Sequence, residues 1–324
     1  MRTRKLGYTD LHLTTIGMGT WAIGGSGWEW GWGPQDDAES IASIRRGLDL
    51  GINWIDTAAA YGLGRSEEVV GRAIAGIRDE LIVATKCGLV CDEGSTEVYG
   101  CLTAGSIRAE CEASLKRLNV DVIDLYQIHW PHDEEHVEEA WGTIADLIRE
   151  GKVRYAGVSN FSVEQIKRIQ PIHPVASLQP PYSMLERGVE QELLSFCAEN
   201  DMGVVAYSPM QTGLLTGKYT KERVASLPDD DWRKDRSPHF QEPALSATLE
   251  LVEGLRPIAE RNGRTLPQLA IAWVLRRPEV TAAIVGSRRP AQIEGTAPAG
   301  DWVLSEGDIA EIDALLEKRE QALR

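Results

Sequence analysis

In the stretch GINWIDTAAAYG, residues 51–62, a carboxylate closes an apolar run: Asp56 follows Ile52–Ile55, and Tyr61 comes five residues later. Two later apolar runs end similarly, VATK on Lys86 and LYQIH on His129. Singly, each residue has an ordinary reading: Asp56 as a cap, Lys86 as a solvated strand end, His129 as a histidine near the surface, Tyr61 as packing. Together they supply an acid, a cation, an imidazole and a phenol. A phenol ionises near pH ~10, too high for efficient acid–base work near neutrality. An ammonium beside it favours the phenolate and draws that value down. A buried lysine keeps its charge when a carboxylate accompanies it, the role open to Asp56. His129 would hydrogen-bond the same substrate oxygen and fix its direction. The set suits proton donation to an oxygen that gains negative charge, as a carbonyl oxygen does when its carbon receives hydride. Such a donor needs no metal ion.

These residues must be brought together by the elements that carry them. Short apolar runs read as strands: TIGMGTWAIGG, INWID, LIVATK, VIDLYQIHW, YAGVSN, ASLQPPY, GVVAYSP and AAIVGS. Amphipathic stretches such as DDAESIASIRRGLDLG, SIRAECEASLKRLN, HVEEAWGTIADLIREG and EQELLSFCAEND read as helices, several with acidic or hydroxyl residues at the start and Gly or Asn at the end. Strand and helix in alternation mark a parallel sheet, and about eight strands close a (β/α)8 barrel. The expectation is an α/β fold in one domain spanning 1–324: a single (β/α)8 TIM barrel with an N-terminal β-hairpin, TRKLGYTDLHLTTIG, closing the bottom. Two long irregular regions, GGSGWEWGWGPQ and the run from Met210 to Pro243, would emerge at the strand C-terminal face, where barrel enzymes work. The later strands end in polar residues that would converge on that mouth: Asp56, Lys86, His129, Ser159 and Asn160, Gln179, Tyr207, and Ser287 with Arg288.

Composition sets the outer bounds. The 324 residues carry a formal net charge of −15, with 43% hydrophobic and 26% charged residues. That balance supports a sizeable core, and the acidic surface repels nucleic acid and anionic membranes. The five cysteines are odd in number and form no C-x-x-C, so reduced thiols in a cytoplasmic protein are expected. Cys87 and Cys91 lack the second ligand pair a zinc site takes, and no metal is expected. The start MRTRKLGYTD has no apolar signal core, and no run approaches a membrane span. Oligomers are possible, but the sequence does not show the oligomeric state.

The strings GINWIDTAAAYG, ATKCG, DLYQIHWP, GKVRYAGVSNF, LQPPYS, VVAYSPMQTGLLTGKY and AIVGSRRPAQ run in order across nearly the whole chain. As an ordered set they resemble the aldo-keto reductase superfamily, in the bacterial branch close to the potassium-channel β-subunit relatives. The resemblance implies a barrel that binds a nicotinamide cofactor without a Rossmann domain. It also implies a catalytic tetrad: Tyr61 as general acid and base, Lys86 as the cation lowering its pKa, Asp56 as the partner of Lys86, and His129 as the orienting residue. Ser159, Asn160 and Gln179 would hydrogen-bond the nicotinamide carboxamide and Tyr207 would stack on the ring, followed by Ser208 and Pro209. The glycine-rich TGLLTGK, not a Walker loop, would fold over the pyrophosphate through Gly213, Leu215, Gly217 and Lys218. Gly286, Ser287 and Arg288 would meet the 2′-phosphate, which favours NADPH over NADH, and Gln292 would lie near the adenine. One departure is the run QIEGTAPAG, with Gly295 and Thr296 where many members carry an acidic residue and an asparagine; Glu294 is the substitute at hand.

Tryptophans cluster on the substrate side. Trp21 and Trp130, at strand ends, are expected to line an aromatic pocket with Trp30; Trp28, Trp30 and Trp32 fit an interface or a loop packed on itself equally well. Such a rim suits apolar or aromatic aldehydes, or a sugar ring stacked on indole. The expected activity is NADPH-dependent reduction of small-molecule carbonyl substrates. The rival reading is a nicotinamide-binding regulatory subunit with slow turnover.

Overall fold

Eight strands form a closed, all-parallel barrel. They are β1 (Ile16–Gly19), β2 (Trp54–Asp56), β3 (Ile82–Cys87), β4 (Ile123–Ile128), β5 (Val153–Ser159), β6 (Ser177–Gln179), β7 (Gly203–Ala206) and β8 (Val280–Gly286). The computed structural model describes residues 1–228 and 231–324, Asp235 by its backbone alone. Asp229 and Asp230 of the long run after β7 therefore lie outside the described residues. The strands are short and nearly all buried, as apolar runs enclosed by helices on every side must be. Register brings their carboxyl ends level: Gly19 lies opposite Asp56, Lys86 opposite Gln127, and Ser159 opposite Gln179.

The hairpin of Thr3–Lys5 with His12–Thr14 precedes the barrel. Its Leu6, Leu11 and Leu13 pack with Trp54, Ala84, Leu125, Ala176, Val205 and Ala282 in one apolar cluster that fills the barrel's lower end. The fit is close at Gly17, where a Cβ would fall 2.1 Å from the Trp54 ring.

Helix boundaries follow local capping chemistry. Asp36 accepts the Glu39 amide at 2.8 Å and opens α1 (Asp37–Asp49). A left-handed Asn119 ends α3 (Ala104–Leu118), which follows α2 (Arg65–Ile74). Ser162 and Gln165 form a capping box at α5 (Val163–Ile169), which follows α4 (Val137–Arg149). After β6 the expected helix over 190–201 is shorter: a 3-10 turn at Gly188–Glu190 precedes α6 (Leu193–Glu199). The long run after β7 is built from short helical segments that include Lys221–Ala225 and Trp232–Arg236. Leu214, Val224, Phe240 and Leu245 give it a small core of its own. No helix among the described residues is long and apolar enough to cross a membrane.

One half-buried carboxyl bears on the strand that carries Lys86. Glu110 of α3 accepts the Gly88 amide at 2.9 Å and the Ser106 hydroxyl at 3.0 Å. Burial is the main cause that raises its pKa from 4.5 to about 7. The folded state therefore holds this proton more tightly than the unfolded chain. Its stabilising effect is full below the unfolded value and is lost as pH rises through the folded one, on the order of 2 kcal/mol after allowing for partial exposure. Glu110→Gln is expected to raise the urea midpoint near pH ~8 and leave it almost unchanged near pH ~4. An equal shift at both values would contradict this account.

Candidate active site

The barrel mouth holds the polar strand ends in a cavity of about 890 Å³. Asp56 ends β2, and Lys86 is the penultimate residue of β3. Lys86 Nζ donates to Asp56 Oδ1 at 2.6 Å, to the Thr57 carbonyl at 2.9 Å and to the Tyr61 hydroxyl at 3.2 Å. Its side chain is 0% exposed and that of Asp56 3%, so the ion pair is dry. Tyr61 reaches this pair from the loop after β2. A Cβ on Gly24 would lie 2.7 Å from the Gly62 amide, so the loop after β1 packs directly on the turn that carries Tyr61. The His129 ring stands edge-on to Tyr61, with centroids 5.6 Å apart.

The electrostatics differ from the sequence expectation in one respect. Burial raises the Tyr61 phenol above its ordinary 10.0; Lys86 opposes that rise through its charge and hydrogen bond, and Asp56 adds to it. Lys86 offsets the burial without reversing it, so the free protein keeps the proton on the phenol. Burial alone would lower Lys86, but Asp56 and Tyr61 raise it, and the ammonium stays charged. Burial, then Lys86, holds His129 well below its usual range, so its imidazole is neutral. The resting set is a neutral phenol against a fixed cation, which is the state required of a proton donor.

The residues assigned to the cofactor occupy the other half of the cavity, several already bonded to one another. Ser159 Oγ donates to the Gln179 carbonyl at 2.8 Å. Gln179 Nε2 donates to Asp56 Oδ2 at 2.8 Å, so it also steadies the carboxylate paired with Lys86. Asn160 bonds the His129 carbonyl and Ser159 Oγ, each at 3.0 Å, and accepts the Tyr207 hydroxyl at 2.9 Å. Ser208, Pro209, Gly213, Lys218, Gly286, Ser287, Arg288 and Gln292 line the wall. Leu215 and Gly217 do not. The Leu215 side chain is buried in the main core and its amide donates to the Met210 carbonyl, and a Cβ on Gly217 would meet Leu266. Glu294 pairs with Arg46 at 2.6 Å and lies off the cavity wall.

The third wall is aromatic. Trp21, Trp28, Trp30, Trp32 and Trp130 all line the cavity. Trp21 stacks on Tyr61 with centroids 6.4 Å apart and on Trp232 at 5.4 Å. Arg233 lies 4.6 Å from the Trp32 ring, and Arg236 lies 5.0 Å from the Trp30 ring and pairs with Glu29 at 2.7 Å. The sequence reading missed Trp232, Arg233 and Arg236. A lone tryptophan in the charged run DDDWRKDR was the available signal. Lys218, Arg223, Arg233, Arg236 and Arg288 all line this cavity in a chain of net charge −15. A cation-lined groove beside a tyrosine face and amide-bearing strand ends fits a nicotinamide dinucleotide. No group of side chains suited to a metal ion occurs among the described residues.

Fold and site together define an oxidoreductase of carbonyl and alcohol groups on a parallel barrel. The chain belongs to the aldo/keto reductase family, which it matches over residues 15–317. It is 39% identical over 320 residues to aldo-keto reductase YhdN of Bacillus subtilis (strain 168), covering 98% of this chain and 94% of that protein. It is 34% identical to the NADH-specific methylglyoxal reductase of Escherichia coli (strain K12), covering 99% and 100%. Among solved structures, the glycerol dehydrogenase AKR11B4 from Gluconobacter oxydans superposes with a TM-score of 0.88 at 38% identity, over 98% of this chain and 95% of that one. An aldo/keto reductase from Klebsiella pneumoniae in complex with NADP and acetate gives 0.74 at 28%, over 97% and 95%.

Proposed function

We propose that this protein is a single-domain, NADPH-dependent carbonyl reductase that reduces aldehydes, and some ketones or sugars, to alcohols in the cytoplasm. The observation that carries this reading is the Tyr61 hydroxyl 3.2 Å from a buried, Asp56-paired Lys86 at the barrel mouth. A reduced nicotinamide, when bound, supplies the hydride. Tyr61 gives its proton to the substrate oxygen, Lys86 stabilises the phenolate left behind, and Asp56 with Gln179 holds Lys86 in place. His129, neutral, offers a hydrogen bond that fixes the oxygen's direction. Ser159, Asn160 and Gln179 present the polar groups for the carboxamide, Tyr207 its flat face for the ring, and Gly213 and Lys218 lie on the wall toward the phosphates.

The NADPH preference rests on Ser287, Arg288 and the cationic wall. The E. coli relative named as NADH-specific makes that preference the point to test. The relatives named for methylglyoxal and glycerol point to small oxygenated carbonyls as substrates, which the aromatic wall would cover. The test is an aldehyde panel including methylglyoxal, run with NADPH and then NADH and followed by loss of reduced-cofactor absorbance. Aldehyde-dependent consumption, much faster with NADPH, is the expected result. Equal rates would remove the 2′-phosphate argument and keep the enzyme. Tight nucleotide binding without turnover would favour the regulatory subunit.

A further inference from the structure

Arg288 follows β8 and has no carboxylate partner among the described residues. Its guanidinium instead grips the loop after β1. Nε donates to Gln35 Oε1 at 2.5 Å, Nη1 to the Trp32 carbonyl at 3.1 Å, and Nη2 to the Pro34 carbonyl. Gln35 Nε2 returns a bond to the Arg288 carbonyl at 3.0 Å. From α2, Arg65 Nη2 donates to the Gln35 carbonyl at 2.6 Å. Residues 32–35 are thus held from two barrel segments. The next contacts lead to the chemistry: the Trp32 ring meets Trp21 edge-on at 5.4 Å, and Trp21 stacks on Tyr61.

We propose that Arg288 is a positioning residue for the carbonyl substrate: it fixes the tryptophan loop against Tyr61 through its grip on residues 32–35. The inference rests on the reductase reading and extends it, because Arg288 would act even with a cofactor that carries no 2′-phosphate. A guanidinium has five N–H donors in a rigid plane, of which the loop takes three, leaving two for a phosphate. The loop needs such a clamp. Gly25, Gly27 and Gly33 all take positive φ, and a chain with that freedom loses entropy when it is ordered.

Three forms of the full-length protein decide the matter: Arg288→Ala, Arg288→Lys and Gln35→Ala. In cofactor-free protein, hydrogen exchange of the 25–36 peptide is expected to quicken by about tenfold in Arg288→Ala, roughly the factor carried by one charge-assisted hydrogen bond. With NADH as cofactor, KM for the best aldehyde of the panel is expected to rise about tenfold while kcat changes little. Arg288→Lys should regain NADPH affinity without restoring loop protection, since one ammonium nitrogen cannot span acceptors that Arg288 reaches from three separate nitrogens. Gln35→Ala should reproduce the KM effect more weakly. Unchanged exchange at 25–36, or an effect confined to NADPH affinity, would overturn the proposal. If the unmodified protein turned over with neither cofactor, the reductase reading would fail, and the exchange measurement would still decide whether Arg288 holds the loop.

Discussion

Tyr61→Phe is expected to lower kcat for carbonyl reduction by about 100- to 10,000-fold, the range that a positioned general acid contributes. The phenylalanine keeps the ring that stacks on Trp21 and removes only the hydroxyl 3.2 Å from Lys86 Nζ. Cofactor affinity, measured by fluorescence titration, is expected to persist, because the residues assigned to the dinucleotide are untouched. Loss of binding together with turnover would assign Tyr61 a structural role instead. In the native protein the same phenol is expected to set the pH dependence. Its pKa is raised above 10.0, chiefly by burial, so the donor form persists through neutrality. Reduction should run level between about pH 6 and 9, and the reverse oxidation, which needs the phenolate, should climb with pH. His129, held low by burial and by Lys86, adds no protonation step in that window. A reduction rate that falls steeply through pH ~7 would contradict the raised phenol.

Lys86→Met is expected to cost both stability and rate. It leaves the Asp56 carboxylate buried with only the Gln179 amide beside it, and an unpaired buried charge typically costs about 3–5 kcal/mol. The rate should fall by at least about 100-fold, because the phenolate then forms without a neighbouring cation. The double variant Lys86→Met/Asp56→Asn separates the two effects. Its uncharged amide can still accept from Gln179, so much of the lost stability should return while activity stays low. Urea midpoints and steady-state rates on the three proteins check this. A double variant no more stable than Lys86→Met would mean that packing, not the bare charge, sets the cost.

Much of this was legible in the sequence, because the residues concerned are fixed by local rules. Apolar runs of strand length alternating with capped amphipathic stretches specify a parallel barrel, and a barrel aligns the carboxyl ends of its strands. Asp56, Lys86 and His129 could therefore be placed at one mouth from their positions alone. Tyr61 followed because it lies five residues from Asp56 on a short loop. Local rules also fixed the helix ends at Asp36 and Asn119.

Other features depend on which distant groups meet, and no local rule contains that. The rise of the Tyr61 pKa is a balance between burial and Lys86, and the depth of burial is set by loops packed from elsewhere. Trp232 stacks on Trp21 across more than two hundred residues, and Arg288 grips carbonyls near Gln35 over a similar separation. Leu215 belongs to a glycine-rich run, yet it turns into the core because the loop around Met210 folds back on itself. The sequence by itself determined the barrel and which polar residues end its strands. Only the tertiary structure decided how the long loops close over that chemistry, because their contacts are between side chains far apart in the chain, whose meeting no spacing records.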